Sequence, residues 1–210
     1  MDKKEYITLA LIALMFVSAI VLLSGMPDKV PMHWNAKGEV DGYGSRETIF
    51  MMPIIALGVY AMFLAIPKLA VKKQNVSDFY KKHGFGFKFS MVLFFGVMHA
   101  VILLTAMGTE VPMGIVMPFL IGGLMAYIGY ILPDVKRNYF IGIRTPWALS
   151  DDAVWKKTHE FGGKAFMLSG FVFAAWGLLG GSILVPVGVL LFLVLSSVVY
   201  SYKVYKEKHK

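Results

Sequence analysis

Six stretches of this chain contain no Asp, Glu, Lys or Arg: residues 7–23, 48–66, 89–107, 111–132, 165–179 and 182–202. A helix rises about 1.5 Å per residue, so a hydrocarbon layer about 30 Å thick asks for roughly 20 apolar residues. The runs are 15 to 22 residues long, and only 165–179 is clearly short. Gly162, Gly163 and Lys164 before it can lengthen that helix, with the lysine reaching back to the interface. Residues 165–202 suffice for two crossings, and Gly180-Gly181 with Pro186 disfavour one very long helix. The expectation is an all-α, polytopic membrane protein with six transmembrane helices. Composition agrees: 57% hydrophobic and 16% charged residues, against about 25% charged in soluble domains. The mean hydropathy of +0.65 excludes a disordered chain, and the absence of cysteine excludes thiolate metal sites and thiol catalysis.

Lys and Arg set the direction. Of the 21 basic residues, 18 fall on one set of alternating segments and 3 on the other. The positive-inside bias therefore places both termini in the cytoplasm of a multi-pass cell-membrane protein. It leaves a long external loop, 26–47, and a long cytoplasmic loop, 133–164. The first run exceeds a signal-peptide core, and Leu23-Ser24-Gly25-Met26 is a poor cleavage site, so the span is expected to stay.

Inside the spans only His99 is ionisable. A proton or ligand site is one reading. The other, favoured because no span offers a carboxylate, is an imidazole bonded to a hydroxyl such as Tyr60 or Tyr127. An ion-coupled transporter is disfavoured on the same ground. Gly170, Ala174, Gly177 and Gly181 line one helix face, as do Gly122 with Ala126 and Gly96 with Ala100. Such stripes let backbones approach closely, which is how helices pack in lipid.

Polar residues concentrate in the two loops. In the external one, Val30–Trp34 reads as extended, the residues from Asn35 to Gly38 as a turn, and Glu39 to Tyr43 as a returning strand. Asp41-Gly42 reads as a second turn. His33, Trp34, Asn35, Gly38 and Asp41 are the candidate recognition residues. Imidazole with carboxylates would suit zinc, yet no ligand-spacing motif is present, so no metal or cofactor is assigned. In the cytoplasmic loop, Ser150 reads as the N-cap of a short helix over 153–161, with Asp151 and Asp152 in its first turn. Gly162 or Gly163 would end it. Trp155 and His159, four apart, share a face, so this helix is expected to lie in the membrane interface. Arg144 can grip a carboxylate, a phosphate or helix-end carbonyls. No catalytic motif occurs, and the basic residues point to lipid headgroups rather than to nucleic acid.

Together the loops resemble the SdpI family of bacterial and archaeal membrane proteins. Pro31-Met32-His33-Trp34-Asn35, Gly38 and Asp41-Gly42 are similar to the membrane domain of unknown function that commonly precedes the SdpI domain. Asn138, Gly142-Ile143-Arg144-Thr145-Pro146-Trp147, Trp155 and His159 are similar to the SdpI signature itself. The resemblance implies an N-terminal membrane domain over 1–110 and an SdpI-like domain over 111–210, each with three spans. It also implies immunity: protection against a secreted peptide toxin outside, and retention of a winged-helix repressor at the cytoplasmic face. The resulting expectation is a non-enzymatic membrane protein whose partners are lipid, such a toxin and such a repressor. The alternative is a membrane enzyme or transporter for a lipid or small amphiphile, with metal at the external loop.

Overall fold

The computed structural model describes residues 3–70 and 73–209. Among them are six helices long and apolar enough to cross a membrane. These are α1 (Glu5–Leu22), α2 (Met51–Leu69), α3 (Lys73–Ala106), α4 (Met113–Ile131), α6 (Asp152–Leu179) and α7 (Leu184–Lys208). A five-residue helix, α5 (Pro146–Ser150), precedes α6, and two strands, β1 (Lys29–Trp34) and β2 (Val40–Ser45), lie between α1 and α2. The chain is therefore the expected all-α, multi-pass membrane protein.

It divides into two compact units, Met1–Phe63 with Phe85–Met117, and Leu64–Gly84 with Pro118–Lys210. In the first unit, α1 leads through a 3-10 turn, Leu23–Gly25, into the antiparallel pair β1–β2. Both strands of a two-stranded sheet are edges, so Pro31 can sit in β1 despite lacking an N–H. The hairpin is anchored by a core of Ala19, Met26, Val30, Ile49, Ile102 and Leu103. Two irregularities between Pro31 and Trp34 place Gly42 opposite His33. Asp41-Gly42 is therefore strand and not a second turn: a Cβ on Gly42 would lie 2.8 Å from that of His33, so the glycine admits the bulged strand.

In the second unit, α4 and α6 meet through glycine. A Cβ on Gly170 would fall 2.5 Å from the Gly122 carbonyl oxygen, and one on Gly163 2.8 Å from that of Gly129. Backbones this close replace the burial that lipid cannot reward. Gly180, at φ 69°, ends α6 in the left-handed conformation and turns the chain toward α7.

Two local expectations are corrected here. No separate short helix ends at Gly162 or Gly163; one helix runs the 28 residues from Asp152 to Leu179. Those glycines serve contact rather than termination, since a Cβ on Gly162 would sit 2.3 Å from Ile143 Cδ1. The helix cap is Asp151, whose Oδ1 accepts from the Ala153 and Val154 amides at 2.7 and 3.0 Å. Ser150 is taken by the end of α5, where its hydroxyl donates to the Trp147 carbonyl.

Candidate functional site

The β1–β2 hairpin is built around Asn35. Its Oδ1 accepts from the amides of Lys37 and Glu39 at 2.8 and 3.1 Å, and its Nδ2 donates to Glu39 Oε2 at 2.9 Å. This Asx turn requires the chain to reverse at Gly38, where φ is 82° and a Cβ would meet the Gly114 amide nitrogen at 2.7 Å. Trp34 packs partly buried against the core that holds the hairpin. Asp28 and Arg46 tie the two strand ends together at 2.6 Å. That leaves His33 and Asp41 as the exposed pair, with Nδ1 donating to Oδ1 at 2.5 Å, beside Tyr43 at 61% exposure. Among the described residues no three His, Asp or Glu side chains gather as metal ligands. His33–Asp41 and Asn35–Glu39 form two separate pairs instead.

The second site is the segment from Leu132 to Asp151. Asn138, 1% exposed, uses its whole amide inside the loop: Oδ1 accepts from Phe140 and Ile141, and Nδ2 donates to the carbonyls of Lys136 and Ile141. Gly142 follows at φ 109°, a conformation that side chains oppose. There the loop presses on His159, whose Nε2 accepts from the Ile143 amide at 3.1 Å while Nδ1 donates to the Trp155 carbonyl at 2.9 Å. The imidazole stacks on the Trp155 indole at 4.1 Å between centroids, and the indole N–H donates to the Val135 carbonyl at 2.6 Å. Trp155 and His159 do share a face, as the spacing predicts. They are 2% and 0% exposed, however, so they hold the loop down rather than lie in an interface.

Further ties fix the loop's ends. Thr145 caps α5 by accepting from the Ala148 amide, and its hydroxyl meets Ser201 of α7 at 2.6 Å. Trp147 packs on Tyr202 of α7 with centroids 5.0 Å apart. Lys208 reaches Asp151 Oδ2 at 2.6 Å. This contact and the two capping amides hold the Asp151 carboxyl down at about 2, below the usual carboxylate range. Arg137 spans Asp152 at 2.5 Å and the Leu149 carbonyl at 2.9 Å. From the N-terminal part of α3, Asn75 donates to the Arg137 carbonyl, Asp78 pairs with Lys136, and both Lys82 and His83 pair with Asp134. Arg144 is the exposed member: one guanidinium nitrogen donates to the Tyr139 carbonyl at 2.6 Å, and the Tyr139 side chain is exposed as well.

The sequence candidates thus fall into two classes. Asn35, Gly38, Asn138, Gly142, Trp155 and His159 build the loops, while His33, Asp41 and Arg144 are what the loops present. Sequence reading missed the α3 side of the second site (Asn75, Asp78, Lys82, His83), because nothing local pairs residues more than 50 positions apart. The expectation for His99 is met in kind and corrected in partner. Its Nε2 lies 2.9 Å from the Ser18 hydroxyl, not from Tyr60 or Tyr127; Ser18 gives its own proton to the Met15 carbonyl, so His99 is the donor.

Comparison with known proteins aligns with both sites. Residues 134–201 match the SdpI/YfhL protein family, and residues 10–57 match a domain of unknown function, DUF1648. Immunity protein SdpI of Bacillus subtilis (strain 168) is 26% identical over 207 residues, covering 98% of this chain and 97% of that protein. An uncharacterized protein of Archaeoglobus fulgidus is 36% identical over 30% of this chain and 34% of its own length. Uncharacterized protein YfhL of Bacillus subtilis is 36% identical over 29% of this chain and 58% of its own. No solved structure gives a significant match. The chain is thus a multi-pass membrane protein that carries a DUF1648 domain followed by a domain of the SdpI/YfhL family.

Proposed function

We propose that this protein confers immunity to a secreted, membrane-active peptide, acting by binding rather than by turnover. The carrying observation is the end-to-end likeness to an immunity protein, which includes both loops and all the spans between them. In this reading the hairpin faces outside and offers His33, Asp41 and Tyr43 to the peptide, on a mount stiffened by Asn35 and by the Val30–Ile49 core. Both termini and the Leu132–Asp151 loop face the cytoplasm, in line with the 18 of 21 basic residues on that set of segments. There Arg144 and Tyr139 offer a planar cation and a ring to a partner such as a winged-helix repressor.

The test is expression in a toxin-sensitive bacterium challenged with a panel of secreted killing peptides. Survival is expected with the wild-type chain and is expected to fall with His33→Ala and Asp41→Ala at unchanged membrane abundance. Equal killing with and without the protein, across the panel, removes the proposal. Orientation is read independently, because the chain has no cysteine. A single Cys at position 33 should react with an impermeant maleimide in intact cells, and one at position 144 only after lysis.

A further inference from the structure

The first unit contains a charged cluster that neither loop uses. Lys88 Nζ of α3 lies 2.6 Å from Glu5 Oε1 of α1, with side chains only 7% and 9% exposed. The other carboxylate oxygen accepts from the Tyr60 hydroxyl of α2 at 2.9 Å, and the ammonium stands 5.8 Å from the centre of the Tyr60 ring. Three helices thus meet at one ion pair, with the Tyr60 hydroxyl on the second carboxylate oxygen. Ionisable groups in such places are costly and call for a reason.

Stability is a weak one. A buried ion pair often contributes no more than apolar residues of similar volume, because desolvation cancels the attraction; what it can supply is a unique arrangement. The neighbouring contacts need such help. The side chains of α1 from Ile7 to Leu22 include few polar groups, and Leu11 lies against Gly96 of α3, a smooth contact that tolerates sliding. Among the described residues these helices also share the His99–Ser18 bond at 2.9 Å, a class that is weak on average between membrane helices.

We infer that the Glu5–Lys88 pair, closed by Tyr60, sets the register of α1 against α2 and α3, and through α1 the position of the hairpin. A slip of one turn, about 5.4 Å, takes Glu5 off Lys88 and leaves both charges buried alone. It also draws Ala19 and Met26 out of the core that carries Val30 and Ile49. The pair therefore acts as a positioning device at the end of α1 away from the hairpin, and the inference stands whether or not the protein confers immunity.

The absence of cysteine makes register measurable. Leu11→Cys is combined with Gly96→Cys for the native register, and with Val92→Cys or Ala100→Cys for slips of one turn, in the full-length protein oxidised in membranes. With Glu5 and Lys88 intact, the 11–96 disulfide should dominate. In Glu5→Leu/Lys88→Met the protein should remain folded, yet the ratio of native to slipped disulfides should fall about tenfold, the effect of losing roughly 1.4 kcal/mol of bias. The exchange Glu5→Lys/Lys88→Glu should restore the native ratio. A native ratio in the apolar double variant overturns the inference. If that variant does not fold, the charge exchange decides: a native pattern supports the pair as the register device, while a slipped pattern or no folded protein overturns it.

Discussion

Replacing Gly142 with alanine tests the seating of the family-signature loop. At φ 109° the added Cβ is strained, at about 1–3 kcal/mol for a sparsely populated backbone region. It would also stand 2.2 Å from His159 Nε2, so the imidazole must move and the Ile143 amide loses its acceptor. Leaving that amide unpaired costs about 1–3 kcal/mol. The two effects together predict about 2–6 kcal/mol of destabilisation. Gly108→Ala is the control: φ is 87°, and nothing lies within 4 Å of its Cβ, so only the strain applies. Unfolding of purified protein in mixed dodecyl maltoside and SDS micelles, followed by tryptophan fluorescence, reads both. The decisive measurement is the pair with His159→Ala, which removes the ring that the new methyl strikes. Gly142→Ala should cost much less in that background than alone, because both changes break the same contact. Strict additivity, or equal losses at Gly108 and Gly142, would refute the account of the loop as pinned by His159.

Other consequences can be measured in the same way. Ile49→Ala empties a fully buried site beneath the hairpin and should cost about 2–5 kcal/mol, read as an earlier unfolding midpoint. Gly170→Leu should prevent α4 and α6 from closing and lower the yield of monodisperse protein, whereas Gly123→Leu, with open space at its Cβ, should not. Because the Asp151 carboxyl is held near 2, its stabilising contacts are complete above the ordinary carboxylate range and are lost as pH falls from about 4 through about 2. Asp151→Asn should flatten stability across that acid window and leave its slope near neutrality unchanged.

What the sequence disclosed and what it hid differ by range. Hydropathy alone places six crossings, since nothing else makes charge-free runs of that length. The hairpin is equally legible, because Pro31, Asn35 and Gly38 act on their immediate neighbours. Ser150 and Asp151 both satisfy the rules for an N-cap, and only the presence of α5 decides between them. The uninterrupted α6 was hidden for a similar reason: Gly162 and Gly163 look like a stop until α4 and Ile143 are seen against them. The Glu5–Lys88 pair joins residues 83 apart, each outside the charge-free runs, so no window on the chain connects them.

The contacts that α7 makes with the signature loop have a consequence for how the protein is made. Thr145 and Asp151 leave the ribosome 56 and 57 residues before Ser201 and Lys208, the side chains that meet them. During synthesis the loop is therefore complete in sequence but lacks these partners until α7 has been made. Nascent chains arrested short of Ser201 should expose the segment around Thr145 to protease, and chains in which α7 has emerged and inserted should protect it.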